Sequence, residues 1–362
     1  MTATTSSVDI SNHPTANAEP TMHATEKSAF TFLPLGAILQ RFQLGDLNIV
    51  QGFDSAGDYV QHNSPYFGET IGRVANRISG ARISRLNGRS YPLTANNGPN
   101  TLHGGVKGWG KQVFEGPTSV TRGGRESIQF QYRSNDGEEG FPGSVETRVF
   151  YTASTAYENG NEVAVLEMEY EAELVGDEDV AETAVAMTNH SYFNLAGLAS
   201  IEGTEVILST NLHQEVDEES IPTGNISPFP GVEANKMFVL GPQEPDIDHC
   251  FILNSDPSSV KLDTRESPLC LLAKFHHPKS GAHLEVLSTE PAFQFYTGKY
   301  IDVPPVGKQP ARGRRSGFCV EPSRYINAIN EDKWRDMVVL TRGHKYGSRL
   351  VYRAWKDVRS QS

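Results

Sequence analysis

The sequence predicts an all-β chain, a large antiparallel β-sandwich, and three observations carry that expectation. Apolar and polar residues alternate with period two through most of the chain. Turn formers are frequent, with 33 glycines and 21 prolines. Long amphipathic helical patterns are scarce, so the helix-length crossovers that a parallel α/β fold needs are not supplied.

Taken in order, residues 1–28 are dominated by Thr, Ser, Ala, Asn and His with almost nothing to bury, and are expected to be a disordered tail. ARISRLNGRSYPL carries Asn87-Gly88 between two strand-like runs, the signature of a tight hairpin. In SIQFQYRS, residues Ile128, Phe130 and Tyr132 share one side. NEVAVLEMEYEAEL sets Leu166, Met168, Tyr170, Ala172 and Leu174 against Glu167, Glu169, Glu171 and Glu173, a half-buried strand with a solvated acidic face. NEDKWRDM is the best helical candidate, a turn or two with Asn330 as N-cap. Near the C-terminus Leu350, Tyr352 and Ala354 alternate with Val351, Arg353 and Trp355. No repeat or linker follows the tail, so residues 29–362 are expected to form one sandwich domain.

Composition narrows the partners. A formal charge of −12 and a pI near 5.4 disfavour nucleic acid or an anionic membrane surface. No stretch approaches the roughly 20 apolar residues of a membrane helix. The N-terminal stretch has no signal-peptide core and no arginine before Arg41, and Cys250, Cys270 and Cys319 form neither a CxxC pair nor an even framework. The expectation is a cytoplasmic protein with a small-molecule ligand.

Nucleotide signatures are absent, and the glycines of HGGVKGWGK suit a tightly turned loop. His276, His277 and His283 come nearest to a metal cluster, but without HExxH spacing or cysteine partners an exposed turn is preferred. Arg312, Arg314 and Arg315 suit a solvated loop, with a phosphate clamp as the alternative. The stretch TNHSYFNLAG is different. It follows an apolar lead-in, Ala184 to Met187, with four polar groups: Asn189, His190, Ser191 and Tyr192. Buried polar groups need partners. In strand geometry Thr188, His190 and Tyr192 face one way while Asn189, Ser191 and Phe193 face the other. Polar residues also interrupt apolar runs at Asn76 and Arg77, at His103 beside two glycines, at Asp248, at Gln294, and at Glu321 after Phe318-Cys319-Val320.

GRVANRI, NTLHGG, TNHSYFNLAG, VDEESIPTG, DIDHCFIL, FQFYTG and GFCVEP occur in the order of the landmarks of the aldose 1-epimerase family, the galactose mutarotases. The chain resembles that family from about Pro65 through Pro322, more weakly to Trp355. The resemblance implies a two-layered β-supersandwich and catalysis with no metal or organic cofactor. By motif, Glu321 resembles the general base and His190 the general acid. Asn76, Arg77, His103, Ser191, Tyr192, Asp248 and Gln294 resemble the sugar-binding shell. One departure is Ser323, where the family often has glutamine, so loop contacts near the sugar are expected to differ.

The implied reaction is interconversion of the anomers of a free aldose by ring opening and reclosure. A carboxylate removes the C1 hydroxyl proton while an imidazolium protonates the ring oxygen. The nearby carboxylate is expected to favour protonated His190, and Arg77 with His103 to hold the ring-oxygen side. Two rivals stand beside this reading. A hexose-6-phosphate epimerase of the same superfamily would use Arg312 to Arg315 as its clamp, and a sugar-binding β-sandwich would not turn its ligand over.

Overall fold

The computed structural model describes residues 21–24 and 28–357. Among these residues two antiparallel sheets dominate. The larger runs in the order Glu115–Arg122, Arg125–Ser134, Ser144–Glu158, Asn161–Val175, Lys345–Lys356, Ala282–Ser288, Cys270–His277, Glu205–Leu208 and Met237–Val239. The smaller runs in the order Tyr192–Phe193, Phe318–Ser323, Ala292–Tyr296, Asp248–Ile252, Leu212–Val216 and Pro222–Pro228.

Alternation decides which face of each strand meets the other sheet. Phe251, Phe293, Phe295, Phe318 and Val320 of the smaller sheet share one buried cluster with Phe275, Leu284, Val286 and Tyr352 of the larger. The Phe275 and Phe318 rings stack at 4.3 Å across the interface. The core is therefore the space between the sheets, as the alternating sequence requires.

Several expected elements stand as read. Ile128 and Phe130 are buried, and Leu350, Tyr352 and Ala354 join the core. Asn87 and Gly88 turn the hairpin between Arg82–Leu86 and Arg89–Pro92, both in the left-handed region.

Other expectations need correction. The acidic face of Asn161–Val175 is not simply solvated, since Glu167 and Glu171 are buried. The adjacent strand Ser144–Glu158 brings Arg148 to 2.9 Å from Glu173, and long side chains from strands two and three places away bring Arg125 to 2.7 Å from Glu167 and Arg122 to 2.6 Å from Glu169 and 2.7 Å from Glu171. Cross-strand register supplies cations that reading one strand alone cannot reveal. NEDKWRDM forms only isolated 3-10 turns, Ala328–Asn330 and Arg335–Met337. Asn330 spends its side chain on the Ser84 N–H and the Arg82 carbonyl instead of capping. The α-helix is Ala56–His62, where the Ser55 hydroxyl accepts from the Asp58 N–H. The tail expectation falls mostly outside the described residues, but its boundary is too late. Thr21–Ala24 pairs antiparallel with Ser28–Leu33, and backbone pairing at an edge needs no apolar composition.

Directly beyond Glu321, the chain is anchored by a buried ion pair. Arg324 Nε lies 3.0 Å from Glu290 Oε2, with both side chains almost fully buried. Arg324 also donates to the carbonyls of Lys261 and Leu262. Burial pushes the Glu290 carboxyl up, and the Arg324 charge opposes that push. Arg324→Met should cost about 3–5 kcal/mol in denaturant unfolding near neutral pH, because it strands a buried carboxylate. A folded carboxyl with a raised pKa destabilises when ionised and stops doing so once protonated. The deficit should therefore shrink as pH falls through the Glu290 pKa, and a deficit independent of pH would contradict this account.

Candidate active site

The smaller sheet turns its second face to a cavity of about 510 Å³. Gln294 stands directly opposite Glu321, and Asp248 opposite Tyr296, so period two presents all four on the face away from the core. Gln294 Nε2 donates to Asp248 Oδ1 at 2.7 Å, which orients both side chains.

The expected strand at TNHSYFNLAG is broken in two. Thr188–Asn189 pairs with Thr70–Ile71, and Tyr192–Phe193 pairs with Phe318 and Cys319. His190 lies between them, its N–H bonded to the Glu69 carbonyl and its own carbonyl accepting from the Gly68 N–H. That backbone clamp aims the imidazole at the cavity. His190 Nε2 is 3.4 Å from Glu321 Oε2, and its Nδ1 is 3.4 Å from Cys319 Sγ.

A second wall comes from the loops. Asn76 and His103 both have φ in the left-handed region, at 59° and 52°. The Asn76 N–H donates to His103 Nδ1 at 3.2 Å, so neutral His103 carries its proton on Nε2. Gly104 permits this turn, because a Cβ there would lie 2.1 Å from the Gly72 carbonyl oxygen. Arg77 is held by Asn97 Oδ1 at 3.1 Å and Asn76 Oδ1 at 3.4 Å.

Eight of the nine expected residues thus line one cavity: Asn76, Arg77, His103, His190, Tyr192, Asp248, Gln294 and Glu321. Ser191 does not. It faces the opposite way, as period two requires, and its hydroxyl bonds Asn189 Oδ1 at 2.5 Å. Ser323 also lies outside the lining and donates to the Arg324 carbonyl, so its departure from the family pattern does not touch the cavity wall.

Sequence reasoning missed Tyr66, Asn97, Ser220 and Tyr300 in the lining. Tyr66 sits edge-on to His103 at 4.9 Å and 5.6 Å from His190, with Lys111 Nζ 4.7 Å above its ring. The available signals were weak: an aromatic after Ser64-Pro65 in a polar loop, and Ser220 within VDEESIPTG. Behind Tyr66, buried Glu69 accepts from Lys111 at 2.5 Å and Asn63 at 2.7 Å. Burial raises the Glu69 pKa to about 7.

The charge state corrects one expectation. Burial, reinforced by Lys111, pushes the His190 pKa down to about 3, so the adjacent carboxylate does not hold it protonated. Burial and the Asp248 charge push the Glu321 carboxyl well up, opposed by Arg77. His103 is likewise pushed well below its ordinary value by burial and the neighbouring His190. Desolvation dominates because all three are dry. His103, His190 and Glu321 offer donor atoms within 4.8 Å of one another, a spacing a cation could bridge. The burial that disfavours charge on all three groups equally disfavours an ion there.

In the arginine run Arg314 is exposed, as a solvated loop predicts, but Arg312 and Arg315 are buried. Arg312 stacks 4.3 Å over Phe53, Arg315 donates to the Gly241 and Pro245 carbonyls, and Arg314 is 3.2 Å from Asp246. None of them lines the cavity.

Comparison with known proteins finds relatives in sequence and in fold. The bifunctional protein GAL10 of Pachysolen tannophilus is 40% identical over 322 residues, covering 88% of this chain but 44% of that protein. The chain thus spans less than half the length of that bifunctional relative. The galactose mutarotase of Sus scrofa is 39% identical over 309 residues, covering 83% of this chain and 81% of that protein. Among solved structures, a GalM/aldose epimerase homologue from C. elegans superposes with a TM-score of 0.77 at 26% identity, covering 94% of this chain and all of that one. The galactose 1-epimerase of Lactobacillus acidophilus, at 20% identity and a TM-score of 0.73, supports the fold, covering 94% of this chain and 95% of that one. The model of the aldose 1-epimerase family matches residues 20–353, and this chain belongs to that family.

Proposed function

We propose that the chain interconverts the α and β anomers of free aldohexoses such as glucose and galactose, with Glu321 and His190 moving the protons. The observation that carries this reading is the 3.4 Å approach of Glu321 Oε2 to His190 Nε2 at the cavity wall. Two proton-handling atoms side by side match two oxygens bonded to one carbon, which is the arrangement of a cyclic hemiacetal. Glu321 takes the proton from the C1 hydroxyl while His190 gives one to the ring oxygen, and the C1–ring-oxygen bond breaks. The aldehyde rotates about C1–C2, and the ring recloses on its other face with the roles reversed.

The charge states fit this cycle. Carboxylate with imidazolium, and carboxylic acid with neutral imidazole, hold the same number of protons. The first faces the closed ring and the second faces the open aldehyde. Burial favours the neutral form, and sugar hydroxyls that hydrogen-bond the pair favour the ionic one. Arg77, Asn76 and His103 bind the ring-oxygen side, and Gln294 with Asp248 take the remaining hydroxyls. The aromatic edges of Tyr66, Tyr192 and Tyr296 close the apolar face of the sugar.

Glu321→Gln keeps the volume but accepts no proton. The variant should fold, bind galactose as before, and lose at least ~10²-fold in kcat by polarimetry. His190→Asn should lose as much, and the double variant should be little worse than either single one. Near wild-type turnover by folded Glu321→Gln would leave only the sugar-binding reading.

The pH profile gives a second check. The pair gains a second proton only near the low His190 value of about 3 and loses its shared proton only above the raised Glu321 value. The profile of kcat/KM should therefore show no acid limb between the ordinary histidine value and about pH 4, and should fall on the alkaline side once the pair loses its shared proton. A step at the ordinary histidine value would show that His190 is not dry.

Glucose 6-phosphate should be the poorer substrate, since Arg312, Arg314 and Arg315 are committed elsewhere. Comparable kcat/KM for the phosphorylated sugar would favour the phosphate-epimerase reading.

A further inference from the structure

On the outer face of the larger sheet, four side chains stand in one cross-strand row: Glu205, His276, His283 and Trp355. Asp357 follows two residues beyond Trp355. The histidines are therefore not an exposed turn. His276 and His283 occupy adjacent strands, while His277 turns aside to Ser280.

The local geometry assigns a tautomer. Glu205 Oε2 lies 2.9 Å from His276 Nδ1, which places the ring proton there and leaves a lone pair on Nε2. That Nε2 is buried, makes no hydrogen bond among the described residues, and lies 3.8 Å from Asp357 Oδ2. His283 Nε2 is 2.9 Å from Asp357 Oδ1. The imidazoles stack at 4.1 Å with planes 12° apart, and the three donor atoms fall within 4.8 Å of one another.

We propose that His276, His283 and Asp357 form a binding site for a divalent transition metal of the zinc class, separate from the sugar cavity. Two imidazoles and one carboxylate are the ligand types such an ion takes, and a fourth, outward position is left for water. Glu205 orients His276 as carboxylates do behind metal-bound histidines. Contraction of the three donors around the ion ties the end of the C-terminal strand to two neighbouring strands. Bound metal therefore stabilises the sheet.

The test is calorimetric titration of the full chain with Zn²⁺, with the melting temperature measured alongside. One equivalent should bind and raise the melting temperature, and galactose should not compete. Asp357→Asn alters an exposed side chain and leaves the core intact, yet should weaken binding at least tenfold. His276→Asn and His283→Asn should do the same, and Glu205→Gln should weaken it about tenfold. Cu²⁺ as a second probe should quench the fluorescence of Trp355, whose ring stacks 4.8 Å from His283. Unchanged Zn²⁺ affinity in folded Asp357→Asn and His276→Asn would overturn the proposal. So would binding that galactose displaces and His103→Asn abolishes, because the ion would then occupy the sugar cavity.

Discussion

The strand Phe318–Ser323 belongs to two environments at once, and the site depends on that constraint. Phe318 and Val320 face the sandwich core, while Cys319 and Glu321 face the other way, Cys319 into a second buried cluster beside His190 and Glu321 onto the cavity. A one-residue slip in register would put Glu321 among the phenylalanines and Val320 in the cavity. Pairing with Ala292–Tyr296 on one side and Tyr192–Phe193 on the other prevents that slip. The core packing that stabilises the fold therefore also fixes the carboxylate.

The same packing sets the electrostatics. A carboxyl on the outer strand of a solvated sheet would titrate near its ordinary value, but Glu321 is 4% exposed. Desolvation costs each charged form dearly, and a neighbour that can take up the proton limits that cost. His190 is that neighbour, and it is dry for the same reason. Its position comes from backbone bonds to Gly68 and Glu69, so its aim does not rely on a titratable side-chain partner. Glu69 and Lys111, behind Tyr66, form a buried ionic brace for this loop and place a positive charge that further disfavours imidazolium.

Much of this was legible in the chain. Strict alternation identified the strands and the core faces, because burial on one side leaves a period-two record. The polar interruptions at His190, Gln294 and Glu321 were readable for the converse reason: a polar residue inside an apolar strand needs a destination. Tyr66 and Asn97 left no such record, since they lie in polar loops where their composition is unremarkable. Ser191 was included through its place in the family-like motif TNHSYFNLAG, although alternation already placed it on the other face. The charge state of His190 depends on how dry the site is, a property of the assembled walls and not of neighbours in sequence.

The larger sheet shows how far the outer face can diverge from the inner one. Its inner residues answer to the core, and their volumes are tightly constrained. Its outer row is free to carry charge, and it does so in an ordered way. Arginines from other strands of the sheet pair with the glutamates of Asn161–Val175, and farther along the same surface a glutamate, two histidines and a tryptophan stand side by side. Stacked imidazoles would repel if both were protonated, and the neighbouring carboxylates offset that repulsion. In this sandwich the two chemically distinctive clusters thus occupy the faces turned away from the shared core. Because the core separates them, changes in one can be made without disturbing the geometry of the other.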